Sequence, residues 1–255
     1  MFGKNKILKP QNHDGLNLEV QEIFATFQGE GPYVGYPAVF VRLGGCNLAC
    51  EFCDTEFDSF ATMKLAEILA RVLELASGEE KIMIQREKLI EEGELENKSG
   101  STIKLEKSFS KKIAKNLVVI TGGEPMRQPI ERLCQELIAL GFMVQVETNG
   151  TLFRELPKEV KIICSPKNSD GKYHRIRADL LARIDAFKFI ISATNSKYSD
   201  IADVGQVGAG IAVYLQPMDE YDAQKNHKNM AHTLDLARKY DARISLQMHK
   251  LLGIS

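Results

Sequence analysis

Nowhere in this chain do about 18 apolar residues follow one another, so no segment has the length of a bilayer-spanning helix. Neither charge is in excess. Thirty-three basic residues stand against 34 acidic ones for a net charge of −1, and no overall field would draw the chain to nucleic acid or to an anionic membrane. The opening residues MFGKNKILKPQNHDG lack the apolar core of a secretory signal. Cysteine is scarce, five in 255 residues, and three of the five crowd between positions 46 and 53, which suits metal binding in a reducing compartment better than paired disulfides. These absences predict a cytoplasmic protein with neither a nucleic-acid nor a membrane partner. What is present, 44% hydrophobic and 26% charged residues, is ordinary globular composition with enough apolar material for a sizeable core.

Short β-branched, apolar runs recur at 38–43 (AVFVRL), 117–121 (LVVIT), 143–147 (MVQVE), 160–164 (VKIIC), 186–191 (AFKFII), 211–216 (IAVYLQ) and 242–247 (ARISLQ), and these read as strands. Helical patterns occupy 63–76 behind a Thr62 cap, 129–140 and 223–240. Strands alternating with helices imply an α/β protein with a mostly parallel sheet, either a closed or partial barrel or an open doubly wound sheet. Ligands gather at the C-terminal strand ends of such folds. Here those ends read GGCNLACEFCD, GGEP, TNGT, SPK, SATN, PMDE and MHK. Any one of them is an ordinary turn by composition, whereas the set predicts one mouth lined from several strands. The stretch 77–116 breaks the rhythm with a run of Glu and Lys and a polar SGST segment. It reads as a charged, solvated helical insertion or partly disordered excursion within a single domain spanning 1–255, and otherwise as a docking segment for a partner.

Cys46, Cys50 and Cys53 form C-x3-C-x2-C directly after a strand, with Gly44 and Gly45 giving the backbone freedom to wrap a bulky object. Thiolates are soft ligands for zinc, copper(I) or iron–sulfur clusters. A structural zinc site ordinarily pairs two short ligand couples, and no second C-x2-C or H-x3-H occurs. A four-iron cluster ordinarily takes four cysteines. Cys134, in a helical pattern, and Cys164, at a strand end, are either buried small hydrophobes or the missing ligand. If neither reaches the loop, one iron has no protein ligand and is open to a small molecule.

The C-x3-C-x2-C loop with Phe52 before its last cysteine, and GGEP at 122–125, resemble the radical S-adenosylmethionine (SAM) superfamily. The segment EIFATFQGEGPYVGYPAVFVRLGGCNLACEFCDT (22–55), followed by TGGEP, ETNGT, SPK, LQPM and SLQMHKLLGIS, narrows the resemblance to the 7-carboxy-7-deazaguanine synthase family. It covers nearly the whole chain apart from the first dozen residues and the charged insertion. The resemblance implies a trimmed, partial β/α barrel, a [4Fe–4S] cluster, SAM and Mg²⁺, and a homodimer. It also implies a lyase activity: ring contraction of 6-carboxy-5,6,7,8-tetrahydropterin to 7-carboxy-7-deazaguanine with loss of ammonia, a step toward queuosine, with flavodoxin or ferredoxin as electron donor. The protein in such chemistry binds, orients and excludes side reactions.

Carried over residue by residue, the resemblance makes Cys46, Cys50 and Cys53 the cluster ligands and Thr55 the Mg²⁺ position, an ion that keeps several waters and completes its shell with substrate oxygens. Thr55 would otherwise cap the turn after Cys53. Phe27, Gln28, Gly29 and Glu30 match the substrate loop, where an amide and a carboxylate can read the donors and acceptors of a pterin edge. Arg42 offers a guanidinium fork to the substrate carboxylate, or else is a surface arginine on the polar face of its strand. Thr121, His249 and the terminal carboxylate on Ser255 complete the substrate set. Gly122, Gly123 and Glu124 match the motif that receives the amino group of SAM. Phe52, Asp54, Glu147, Asn149, Ser165, Pro166, Lys167, Gln216, Pro217, Met218 and Asp219 fall where its remaining parts would lie. Two other readings remain: a radical-SAM activase that makes a glycyl radical on a partner protein, docking through 77–116, and an iron–sulfur redox sensor with no catalytic role.

Overall fold

The computed structural model describes residues 5–53, 55–77, 116–169 and 172–253. The expected insertion at 77–116 therefore lies outside the described residues except for its two ends, as do Asp54 and Ser255. Each of the seven anticipated runs contains a strand: β2 (Pro37–Leu43), β4 (Leu117–Gly122), β5 (Met143–Thr148), β6 (Lys161–Cys164), β9 (Ala186–Ile191), β10 (Ala212–Pro217) and β11 (Arg243–Ile244). The last is far shorter than the run 242–247 from which it was expected. Four strands were not anticipated: β1 (Asn17–Phe27), β3 (Ala61–Lys64) and the small hairpin β7 (Asn168–Ser169) and β8 (Lys172–Tyr173).

The nine-stranded sheet has the order β11-β10-β9-β6-β5-β4-β2-β1-β3. From β2 to β11 every pairing is parallel, while β1 runs antiparallel to both β2 and β3. Because the order is linear and does not close, the sheet is open, as a partial barrel requires. Among the described residues no helix is long and apolar enough to cross a membrane.

Strand alternation gives the sheet two unlike faces. One face carries Val39, Val41, Leu43, Val118, Ile120, Val146, Ile162, Phe187, Phe189 and Leu215, all essentially without solvent contact, and packs under the helices. Helix α1 (Leu65–Ser77) turns Leu65, Ile68, Leu69, Val72 and Ala76 toward it, the i, i+3, i+4, i+7 stripe of an amphipathic helix. Each fully buried Leu or Ile of that stripe contributes about 1.5–3 kcal/mol of transfer free energy. Helix α2 (Glu131–Ala139) adds Leu133, Cys134 and Leu137. After two short helices, α3 (Ala178–Leu181) and α4 (Gln206–Ala209), α5 (Ala223–Tyr240) starts where Asp222 accepts from the Gln224 and Lys225 amides.

The expected Thr62 cap is not one. Thr62 sits in β3 opposite Glu19, and the helix begins two residues later than the pattern suggested, where the Glu67 carboxylate accepts the Lys64 N–H at 3.0 Å. Likewise the pattern at 129–140 yields a shorter helix, because Ile130 holds the N-cap position and Leu140 the C-cap.

The opposite face carries two small apolar clusters, Ala38, Leu117 and Val119 with Phe40 and Met143, and Ile163 and Ala186 with Tyr214. Toward the C-terminal ends the same alternation presents Arg42, Thr121, Glu147, Lys188 and Gln216 to one cavity of about 320 Å³. A cavity lined from six strands of one open sheet requires the sheet to curve around it. The short C-terminal helix α6 (Met248–Leu252) stands at its mouth.

Candidate active site

The loop after β2 brings all three loop cysteines to the rim of that cavity, each partly exposed. The Cys53 amide donates to the Cys50 carbonyl at 3.1 Å, closing a turn. The start of the loop is pinned by backbone on backbone. Gly123 N–H donates to the Leu43 carbonyl at 3.1 Å and Glu124 N–H to the Gly45 carbonyl at 3.1 Å. A Cβ on Gly123 would lie 2.0 Å from the Gly45 oxygen, and one on Gly122, whose φ is +127°, 2.1 Å from the Leu43 oxygen. The glycines of GGEP are thus required by the cysteine loop itself, a reason that the sequence reading did not contain. Arg127, 2% exposed, locks the junction by an ion pair to Glu19 and a 2.9 Å hydrogen bond to the Gly44 carbonyl.

The donor set fits a cluster with three protein ligands. Cys134 and Cys164 are buried in the core under the helices and do not reach the cavity, so neither supplies a fourth thiolate. Among the described residues no three His, Cys, Asp or Glu side chains converge on one point, which argues against a zinc site. A cluster differs, because each sulfur ligates a different iron and the thiols need only surround one volume. Burial pushes the Cys46 thiol up to about 11 and the Cys50 thiol upward too, the latter opposed by Lys167. Soft metal binding supplies the compensation that ionises such thiols. Thr55 also lines the cavity, and among the described residues it has no carboxylate cluster around it, so any Mg²⁺ there would remain largely hydrated.

Glu124 departs from the reading that gave it a ligand's ammonium. It has no solvent exposure and does not line the cavity. One carboxylate oxygen accepts from the Met126 amide at 3.0 Å and the Thr148 hydroxyl at 2.8 Å, the other from the Asn149 amide at 2.7 Å. Burial raises its carboxyl above the ordinary range even against those donors. Its task here is to tie the GGEP turn to the end of β5. Pro166 is also buried away from the cavity.

The others expected around SAM do line it: Phe52, Gly122, Gly123, Glu147, Asn149, Ser165, Lys167 and the segment from Gln216 to Asp219. Phe52 packs edge-on against Tyr198 at 4.8 Å with the Lys167 ammonium 5.7 Å over its ring. Lys167 donates to Ser165 Oγ at 2.8 Å, and Asp219 accepts from Lys250 Nζ at 2.8 Å.

On the inner wall Gln28 Nε2 donates to Glu147 at 3.0 Å, while Gln216 and Gln247 donate to Glu30 at 3.1 and 3.0 Å. Between the two carboxylates lies Lys188, 4% exposed, ion-paired to Glu30 and at 3.2 Å to Glu147. Burial opposes both charges, but mutual attraction wins. With help from Gln247 and His249, Lys188 holds the Glu30 carboxyl down from 4.5 to about 2, and the lysine itself is raised by its carboxylates.

Arg42 lies directly across from Glu22 and Thr121 in the strand registers, with Nε 3.2 Å from Glu22 and its guanidinium 5.3 Å from the Phe24 ring. It is neither a lone surface arginine nor fully buried. Phe27 and Gly29 line the cavity as expected. His249 packs on Gly29, where a Cβ would come 2.5 Å from its Nδ1, and the Met248 amide donates to the Gly29 carbonyl at 3.0 Å.

Lys188 is the main residue that the sequence reading missed. Its only signal was a lysine between two phenylalanines in AFKFII, in phase with the polar inner face. Phe24, Thr26, Phe40 and Ile190 on the same wall carried no signal at all.

No model of a protein family matches the chain. It is 49% identical over 254 residues to the 7-carboxy-7-deazaguanine synthase of Rickettsia prowazekii, covering all of this chain and 96% of that protein. To the 7-carboxy-7-deazaguanine synthase of Rhodospirillum rubrum it is 34% identical over 275 residues, with the whole of both chains covered. Its fold resembles the crystal structure of QueE from Escherichia coli, with a TM-score of 0.62, 21% identity, and 91% of this chain and 95% of that one covered. The chain belongs to the 7-carboxy-7-deazaguanine synthase family, whose members are radical-SAM lyases.

Proposed function

We propose that this protein is a 7-carboxy-7-deazaguanine synthase, contracting the ring of 6-carboxy-5,6,7,8-tetrahydropterin with release of ammonia. One observation carries the reading. A single cavity has three soft thiols on its rim and, on its inner wall, a buried array of amides and carboxylates around one lysine, with an arginine beside it. When bound, a [4Fe–4S] cluster and SAM supply one-electron chemistry that generates a hydrogen-abstracting radical.

This chain's residues do the rest. Cys46, Cys50 and Cys53 would hold the cluster, and Gly122, Gly123, Asn149, Ser165 and Lys167 lie on the side where SAM would bind. Gln28 and Glu30, joined by Glu147, which the resemblance had placed with SAM, offer the mixed donors and acceptors that a pterin edge needs, already oriented by Lys188. Arg42, aligned by Glu22 and Phe24, is suited to the substrate carboxylate. Thr55 is suited to one position of a hydrated Mg²⁺ whose other ligands are water and substrate oxygens. His249 closes over the substrate loop. A buried polar array of this kind on one wall suits a small, densely functionalised substrate better than the backbone of a partner protein. We further infer a cytoplasmic homodimer reduced by flavodoxin or ferredoxin.

The test is anaerobic reconstitution with iron and sulfide, then incubation with SAM, reductant, Mg²⁺ and 6-carboxytetrahydropterin. Both 5′-deoxyadenosine and 7-carboxy-7-deazaguanine are expected. The nucleoside without the deazapurine would sink the substrate assignment, and no cluster absorbance would sink the radical-SAM reading as well. Cys50→Ala should abolish the cluster, while Thr55→Ala should keep it and lose Mg²⁺-dependent turnover. Equal loss of cluster in both would count against a metal role for Thr55.

A further inference from the structure

The first dozen residues carry none of the motifs on which the family resemblance was read, yet the structure lays residues 5–8 along both ends of the cysteine loop. Ile7 bridges Cys46 in parallel, and the Leu8 amide donates to the Cys46 carbonyl at 2.8 Å. The Leu8 side chain lies so close to Gly45 that a Cβ there would come within 2.7 Å of it. At the other end, the Lys6 amide donates to Asp58 at 3.2 Å.

Between these anchors, Asn5 uses both ends of its amide on the loop. Its Oδ1 accepts from the Phe57 amide at 2.7 Å, and its Nδ2 donates to the Thr55 carbonyl at 2.8 Å and to the Cys53 sulfur at 3.5 Å. The partners are 48 to 52 positions away in sequence, so these bonds tie a remote segment to the loop.

We propose that residues 5–8 are a strap that holds the cluster loop closed, and that Asn5 is a positioning residue donating a hydrogen bond to the Cys53 thiolate of the bound cluster. The proposal rests on the reading of Cys46, Cys50 and Cys53 as cluster ligands. Hydrogen bonds to ligand sulfur are among the terms that set a cluster's reduction potential, because they withdraw electron density and favour the reduced state. A neutral amide is suited to this: it stabilises negative sulfur without the salt sensitivity of a cation, and its carbonyl end fixes its orientation through Phe57.

Wild type, Asn5→Leu and Asn5→Asp are reconstituted anaerobically and assayed for iron and sulfide per chain. The loaded proteins are then titrated redox-potentiometrically with electron paramagnetic resonance detection in the absence of SAM, and iron release to a chelator is timed. Both variants should show a more negative potential. Asn5→Asp should show the larger shift, since it keeps an acceptor for Phe57 but places a negative charge beside the thiolate. Iron release from Asn5→Leu should be several-fold faster than from wild type. Loaded variants with the wild-type potential would overturn the proposal, reducing Asn5 to packing. If neither variant loads, amide exchange across residues 46–57 in the apoproteins decides: faster exchange than wild type supports the strap, and wild-type rates overturn it. A wild type that takes up no cluster overturns instead the ligand reading on which the proposal stands.

Discussion

Replacing Lys188 with methionine would strip the one buried cation from between Glu30 and Glu147 while keeping most of the side-chain volume. The ammonium is ion-paired to Glu30 and sits 3.2 Å from Glu147; its side chain is 6% exposed and those of its partners 15% and 20%. Removing one member of so buried a cluster costs about 3–5 kcal/mol, most of it the penalty of leaving charge without a counterion. Two carboxylates then share a site, and one of them must take up a proton well above its ordinary pKa. The sign of the pH dependence follows. In the variant the folded state binds more protons than the unfolded chain, so the loss should be largest near pH 7. It should shrink toward pH 5 by as much as about 1.4 kcal/mol per pH unit. Urea denaturation of the purified protein at both pH values measures it, read as a shift in midpoint at constant slope. Adding Glu30→Gln and Glu147→Gln to the variant should recover much of the loss, because an uncharged array no longer needs the cation. A loss below about 1 kcal/mol at pH 7, or one that does not diminish at pH 5, would refute the view that Lys188 is held there by charge compensation.

In the wild type the sign is the opposite. Glu30 titrates near 2 in the folded protein against an ordinary 4.5, so its stabilisation, about 3 kcal/mol at most, is fully present above roughly pH 4.5 and is lost as pH falls through 2. Acid titration of unfolding free energy should show that decline, and Glu30→Gln should abolish it. Gly123→Ala must push a Cβ into the Gly45 carbonyl, a backbone atom that cannot swing aside, so the cysteine loop should separate from the GGEP turn. We expect a destabilisation of about 1–3 kcal/mol as for other overpacked sites, with iron uptake impaired more than urea stability.

The parallel strands were legible because burial on both faces writes them as nearly continuous apolar runs, as in LVVIT and, interrupted only by Lys188, AFKFII. Strand β1 escaped for a specific reason. A register shift between Val20 and Glu22 puts Leu18 and Val20 on the helix-covered face and then Ile23, one position out of phase. The period of two breaks in the middle of the strand, and the run ceases to look like one. The thiol chemistry was legible because Cys46, Cys50 and Cys53 are local, and so were the GGEP glycines, although their steric reason lay in Leu43 and Gly45 across the sheet.

The inner wall is different in kind. Lys188 reaches Glu30 across 158 positions and Glu147 across 41, and Asn5 reaches Cys53 across 48. A lysine in phase with the polar positions of a strand reads the same whether it faces water or a buried carboxylate, since only the curvature of the sheet decides which. The thiol loop and the substrate loop of this site are thus written in short motifs, while the residues that orient them, Lys188 and Asn5, are set by long-range pairing. Substitutions at Lys188 or Asn5 should therefore alter the protein without disturbing any motif by which its family is known.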